Sequence, residues 1–354
     1  LFCDIVSLNL THFKKFFYMH SNINHPYPLQ IFVFGNDLGL GIEISNLLQT
    51  TPSKYKIKVF PDGEKIPHQT ETVRDRDVYI ILTSQNGPEG DKWFMDYLRF
   101  CKSIKDGEPH KITVILPKLP HQRQDIENRQ IRQPKLSSLF PLLFKSVGVE
   151  KILVVKLHNP ASTSDLLPMD NVGTTKIIVE EIRNKFKDDL AKIVVASTDM
   201  GGAGYARHIA SKLSVPIIIT DKNRNVHHGE TKVMNIYKEG DVSDREIIIF
   251  VDDLIATFGS LKKAADAVSE EFPNFKSFVA IATHADFTAE APENIKTSLF
   301  KDVWVTNSVP LSESFKNDMG PEIVKIQIIS IAKILAQAID NLHNSKSVSA
   351  IWED

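Results

Sequence analysis

Short apolar runs rich in Val, Ile and Leu recur along this chain, and segments of helical periodicity separate them. Leu29–Phe34, Tyr55–Phe60, Asp77–Leu82, Lys111–Leu116 and Ile152–Leu157 have strand length, and amphipathic patterns over 91–104 and 135–147 lie between them. β-Branched runs of this length, bounded by turn residues, are too short for helices and read as buried strands. Their alternation with helices predicts a mostly parallel sheet covered on both faces. The same grammar then restarts: helices at 176–186 and 204–213, strands at Ile193–Ala196 and Pro216–Thr220, and a hairpin-like piece at Val233–Asp241. Strands at Glu246–Val251, Phe278–Thr283 and Val303–Thr306 follow, and Pro321–Leu342 reads as one amphipathic helix. The fold class is therefore α/β, with two doubly wound domains and a boundary in the Pro- and Ser-containing stretch 159–173. The domains are expected at 29–168 and 169–314, after an N-terminal extension of residues 1–28, with a C-terminal helix at 315–343.

Composition enters as a set of exclusions. A net charge of -2 gives no reason to expect a face for nucleic acid, so a basic cluster here reads as a small-molecule phosphate site. No apolar run approaches the roughly 20 residues of a membrane span. Two cysteines, Cys3 and Cys101, lie far apart without metal-ligand spacing, which excludes a disulfide framework and fits a reducing, cytoplasmic compartment. Residues 1–28 show no regular pattern and lack the charged start and cleavage site of a signal peptide. They read as an extension, or as a start assigned upstream of Met19.

Polar clusters fall at the carboxyl ends of the expected strands: Asp62/Glu64, Arg123/Asp125, His158, Asp199, Lys222/Arg224 and Asp252/Asp253. In open α/β sheets that edge is where ligands bind. The densest stretch is 246–270, where a strand meets Asp252 and Asp253, then Thr257, Gly259 and Ser260, then an amphipathic helix with Leu261, Ala264, Ala265 and Val268 at helical spacing. Backbone N–H groups at such a helix start suit an anion, and the carboxylates suit sugar hydroxyls or a divalent cation. An ordinary loop with two solvated aspartates fits the same residues. Ser197–Gly204 follows a strand and opens a helix, so Asp199 is either a metal-site residue or an N-cap. Lys222, Asn223 and Arg224 lie in a long polar loop, which reads as a cationic lid over a transferring phosphoryl group or as an exposed hydrophilic loop. Arg123, Gln124 and Asp125 offer a phosphate fork with amide and carboxylate groups. His158 serves a metal, a phosphate or the packing, and Phe60 stacks on a purine or joins the core.

Taken in order, Phe60–Glu64, Arg123–Asp125, Leu157–His158, Ser197–Gly202, Asp221–Arg224, Val233–Ile236, Gly240–Val242, Val251–Asp253 and Ala282–His284 resemble the ribose-phosphate pyrophosphokinase (PRPP synthetase) family, over about residues 29 to 340. The resemblance implies two phosphoribosyltransferase-like domains, with the C-terminal helix returning to the first. It implies Mg2+ as cofactor, and ATP and ribose 5-phosphate as substrates giving PRPP and AMP. It also implies self-association, dimer-based and reaching a hexamer. By resemblance, Arg123, Gln124 and Asp125 contact ATP, and Phe60 and Glu64 complete the adenine pocket from a neighbouring subunit. His158 and Asp199 serve the metal, and Lys222 and Arg224 stabilise the transferring group. Asp252 and Asp253 bind ribose hydroxyls, and Thr257, Phe258, Gly259 and Ser260 the 5-phosphate. Several departures stand out. Ala256 replaces an acid in the phosphate loop, and Phe258 replaces a small residue and adds bulk there. Lys156, in place of an aspartate, sets a cation beside the proposed metal site. Asn223 interrupts the basic run, and Pro120-His121-Gln122 replaces aromatics before Arg123. An active synthetase and a non-catalytic associated subunit both fit these residues.

Overall fold

The computed structural model describes residues 25–35, 37–83, 88–162, 166–222 and 234–351, with backbone alone at 88–92, 162, 222 and 350. β1 (Leu29–Gly35) leads through α1 (Gly39–Leu47) to a hairpin of β2 (Tyr55–Val59) and β3 (Lys65–Gln69). β4 (Asp77–Thr83), α2 (Pro88–Asp106), β5 (Lys111–Leu116), α3 (Leu139–Ser146), β6 (Lys151–Val155) and β7 (Met169–Val172) complete the first half. The second half runs α4 (Thr175–Phe186), β8 (Ile193–Ser197), α5 (Ala203–Leu213), β9 (Ile217–Lys222), β10 (Met234–Glu239), β11 (Ile247–Ile255) and α6 (Gly259–Glu271). It continues through β12 (Ser277–Ala285), α7 (Ala291–Lys296), β13 (Phe300–Thr306), α8 (Glu313–Met319), β14 (Ile326–Ile329) and α9 (Ala332–His343).

The first sheet has the order β1-β4-β5-β6-β7 and is parallel throughout. The second, β10-β9-β8-β11-β12-β13-β14, is parallel except where β10 pairs antiparallel with β9. In the second sheet β9 lies on one side of β8 and β11 on the other, so the chain reverses direction between them. Such a switch point leaves a crevice between the loops that leave the two strands. The first sheet has no such reversal.

Alternation along each strand sorts the cores. Phe32 and Phe34 of β1 face α2 and α3, where Phe94, Phe140 and Phe144 fill the outer layer. Ile31 and Val33, on the opposite face, join a core shared with α1, α4, α5, α9 and the second sheet. Phe250, Leu261, Phe300 and Phe315 form the outer core of the second sheet. One continuous apolar cluster thus lies between the two sheets.

Four expectations are corrected. Tyr55–Phe60 does not enter the parallel sheet: β2 pairs only with β3, and all but its first residue are exposed. The sequence Tyr-Lys-Ile-Lys-Val alternates polar and apolar, which suits a half-solvated antiparallel ribbon rather than a strand buried on both faces. β7 pairs with β6, so residues 169–172 belong to the first sheet rather than beyond a boundary at 168. The helix expected over Pro321–Leu342 is broken: Gly320–Lys325 is a tight 3-10 turn, β14 extends the second sheet, and only α9 is α-helical. The β-branched Ile326–Ile329 run finds a strand partner in β13, which outweighs its helical spacing. α9 does return to the first half, packing on α1, and His343 Nδ1 lies 2.8 Å from Asp77 Oδ2. Finally, β11 continues to Ile255, so Asp252 and Asp253 lie inside its last turns rather than beyond its end.

Candidate active site

β8 and β11 flank the switch point, and the residues at their carboxyl ends meet there. Asp252 Oδ2 accepts the Thr198 hydroxyl at 3.1 Å, and Asp252 Oδ1 accepts the Asp253 backbone N–H at 2.8 Å. From the first sheet, just past β6, His158 reaches across so that its Nδ1 lies 2.6 Å from Asp253 Oδ2. The His158 backbone N–H donates to Gln122 Oε1 at 3.2 Å, which fixes where the ring starts.

The two adjacent carboxylates are made unequal by their surroundings. Burial, then the charge of Asp253, pushes the Asp252 carboxyl up to about 8. Burial also acts to raise Asp253, but the bonds from His158 and Asp252 outweigh it and hold this carboxyl well below the usual range. The same bond from Asp253 raises His158, against its desolvation. The site therefore holds one firmly ionised carboxylate, paired to an imidazole, beside a buried carboxyl that holds its proton more tightly than usual.

The turn that follows leads directly into a helix start. Phe258 adopts a left-handed conformation with φ 65°, and α6 starts at Gly259. Its ring is buried against Phe300, with centroids 5.1 Å apart, so the bulk expected in the phosphate loop lies in the outer core instead. Thr257 Oγ1 accepts the Gly259 N–H at 3.2 Å, and Asn294 Nδ2 donates to the Thr257 carbonyl at 2.8 Å. Backbone N–H groups at the first turn of α6 are the donors such a turn presents. Ser260, exposed, stands at that first turn.

Asp199 follows β8 and its Oδ1 accepts the Gly202 N–H at 2.9 Å, one residue before α5. It holds the loop that opens the helix, and its charge also raises Asp252. Among the described residues no three His, Cys, Asp or Glu side chains already converge as a metal cage. Lys156 Nζ sits 3.8 Å over the Tyr205 ring, on α5.

On the first sheet, Arg123 is exposed and lies within electrostatic range of His158. Gln124 Oε1 lies 2.8 Å from His121 Nδ1, and Asp125 Oδ2 accepts Asn159 Nδ2 at 2.8 Å. Asn159 follows His158, so the two stretches are joined. Phe60 and Glu64 are not brought to this cluster. They cap the β2–β3 hairpin, where the Phe60 N–H donates to the Glu64 carbonyl at 2.8 Å and Lys58 Nζ lies 4.5 Å over the Phe60 ring. Arg224 and the side chain of Lys222 lie outside the described residues. Sequence reasoning assigned no role to Gln122, Thr198, Asn294, Lys118 or Asp286. Thr198 lies inside a named motif, Gln122, Lys118 and Asp286 lie near one, and nothing in the sequence pointed to Asn294.

Comparison with known proteins gives consistent results. A profile for the N-terminal domain of ribose phosphate pyrophosphokinase matches residues 29–148, and one for the phosphoribosyl synthetase-associated domain matches 220–353. A ribose-phosphate pyrophosphokinase of Fusobacterium nucleatum is 32% identical over 326 residues, covering 92% of this chain and 98% of that one. Its counterpart from Chromobacterium violaceum is 36% identical over 299 residues, covering 83% and 86%. The crystal structure of phosphoribosylpyrophosphate synthetase from Mycobacterium smegmatis superposes with a TM-score of 0.77 at 26% identity, over 90% of this chain and 99% of that one. Among the described residues no helix is long and apolar enough to cross a membrane.

Proposed function

We infer function from one premise: this chain belongs to the ribose-phosphate pyrophosphokinase family. Its reaction is transfer of the β,γ-pyrophosphoryl group of ATP to the anomeric hydroxyl of ribose 5-phosphate. The anomeric oxygen forms a bond to the β-phosphorus and gives up its proton to solvent, the bond from that phosphorus to the α,β-bridging oxygen breaks, and AMP leaves. The observation that carries this reading is the Asp252–Asp253 pair at the switch point, held from the facing sheet by His158 and followed at once by the turn into α6. Carboxylates for two ribose hydroxyls and N–H groups for a 5-phosphate stand in the order the sugar requires.

Each group has a role in this scheme. Asp252 and Asp253 hold the ribose, and Thr257, Phe258, Gly259 and Ser260 cup the 5-phosphate, Phe258 through its backbone alone. Arg123, Gln124 and Asp125 hold ATP. Lys222 and Arg224 neutralise charge on the moving group, and Phe60 and Glu64 meet the adenine of a neighbouring copy in a self-associated, dimer-based assembly. Phosphoryl transfer needs positioning and fixed positive charge rather than a covalent nucleophile.

Mg2+ fits the residues present. Burial, and then the adjacent Asp253 charge, push the Asp252 carboxyl up to about 8, and a hard divalent cation would offset both. His158 through Nε2 and Asp199 through Oδ2 are the groups that would turn to it, since Nδ1 and Oδ1 are engaged. Mg2+ usually takes one or two carboxylates and completes its shell with phosphates and water, so no closed protein cage is required. When bound, it would neutralise phosphate charge.

A second reading, a non-catalytic subunit associated with active synthetases, draws on Ala256 and on the description of the profile over 220–353. One departure that favoured it has lost weight, since the Phe258 ring is in the core. Purified protein with ribose 5-phosphate, MgATP and phosphate should release AMP. Silence alone, together with a changed rate for an added active homologue, would establish the second reading instead. With turnover in hand, Lys222→Ala should lower kcat far more than it weakens substrate binding; an unchanged rate would take the loop out of the mechanism.

A further inference from the structure

The two substrates proposed above stand on opposite sides of one seam. Arg123, Gln124 and Asp125 follow β5 of the first sheet, whereas Asp252 to Ser260 belong to β11 and α6 of the second. In-line transfer depends on how these sheets are registered, and a misplacement of about 1 Å can cost about 100-fold in rate. Whatever fixes the seam near the site is therefore part of the machinery.

Lys118 lies two residues past β5, and Asp286 lies one residue past β12. Their side chains form an ion pair across the seam, 168 residues apart in sequence, with only 13% and 16% of their side-chain surfaces exposed. The Asp286 backbone N–H donates to the Ile255 carbonyl at 2.8 Å, at the end of the strand that carries Asp252 and Asp253. Lys118 is within electrostatic range of both Arg123 and Asp253. One partner is thus tied to the ribose half, and the other sits in the nucleotide half, five residues before Arg123. Next to this pair, His284 Nε2 donates to the Lys156 carbonyl at 3.0 Å, so the end of β12 crosses the seam twice. Burial lowers the Lys118 ammonium in spite of Asp286, which marks the pair as desolvated rather than a screened surface contact.

We propose that Lys118 and Asp286 are a positioning pair that registers the nucleotide half against the ribose half, acting on the rate of transfer rather than on the binding of either substrate. The proposal rests on the pyrophosphokinase reading above. A surface ion pair would contribute little, but separating a buried one strands a charge, so the seam resists opening along this line.

The test uses the full chain with Lys118→Met, Asp286→Asn and the swap Lys118→Glu with Asp286→Lys. Each single variant should lose about 10- to 100-fold in kcat, while dissociation constants for a non-hydrolysable ATP analogue and for ribose 5-phosphate stay within about twofold. The swap should recover most of the rate. Single variants that keep wild-type kcat while all are folded, even with a lowered unfolding midpoint, would overturn the proposal, as would a loss carried by either binding constant. If the wild type itself releases no AMP, the functional reading fails separately. The seam is then judged by thermal unfolding: midpoints lowered in both single variants and restored by the swap support registration across the seam, and strictly additive midpoints refute it.

Discussion

At the scale of single residues, two side chains show how burial overrides first appearance. Phe258 occupies a position where bulk would obstruct an anion, yet its backbone takes the left-handed conformation that opens the turn and sends the ring into the outer core. Phe258→Ala should therefore destabilise the protein by about 3–5 kcal/mol, as large aromatic truncations in a core do. Urea unfolding checks this. A variant with unchanged stability and tighter ribose 5-phosphate binding would mean that the ring blocks the turn after all. His284 is fully buried, and burial followed by the nearby Lys118 charge holds its imidazole down to about 4. Between that value and the ordinary one of 6.5 the unfolded chain binds the extra proton, so stability is complete above about pH 6.5 and falls as the pH drops toward 4. The loss at the acid end is roughly 3 kcal/mol. Unfolding midpoints at pH 7.5, 6 and 5 should fall less steeply in His284→Gln than in the wild type, and parallel slopes would remove His284 from the acid response.

At the scale of elements, the start of α5 carries two duties in one side chain. Asp199 caps the loop by accepting the Gly202 N–H, and the same carboxylate is proposed to turn its other oxygen to Mg2+. Asn keeps an acceptor for the Gly202 N–H, whereas Ala removes this loop hydrogen bond at a cost of about 1 kcal/mol. Asp199→Asn should keep the unfolding midpoint of the wild type and raise the Mg2+ concentration needed for half-maximal AMP release. Asp199→Ala should lose stability as well. Equal Mg2+ dependence in the Asn variant would leave Asp199 with its loop hydrogen bond alone. The strand-edge clusters were legible in the sequence because β-branched runs end abruptly in polar residues, so Asp252, Asp253 and His158 could be placed without coordinates. The extension of β11 to Ile255 was not legible, because its pairing with β12 supplies the backbone partners that local composition does not encode.

At the scale of the whole molecule, the β2–β3 hairpin forms its own two-stranded ribbon outside both larger sheets. Phe60 and Glu64 lie at its tip, and Val59 and Ile66 are exposed on it, so any role in adenine recognition must come through a second copy. Mixing Phe60→Ala with Arg123→Ala subunits tests this directly. Each alone should release AMP slowly with a raised KM for ATP, and co-assembled mixtures should regain part of the rate, since some composite sites would then draw both residues from intact copies. No recovery in mixed assemblies would place Phe60 outside the site.

Strand length, β-branching and helical periodicity were sufficient by themselves to establish an α/β chain of two halves, and the order of its polar motifs was sufficient to name the family, because both are local properties carried in contiguous residues. Which sheet received β2, β7 and β14, where the Phe258 ring and the Lys156 ammonium went, and that Lys118 meets Asp286 across the seam were decided only in three dimensions. Each of these depends on a tertiary partner that the local run of residues does not name, and the fit of that pairing sets the energy.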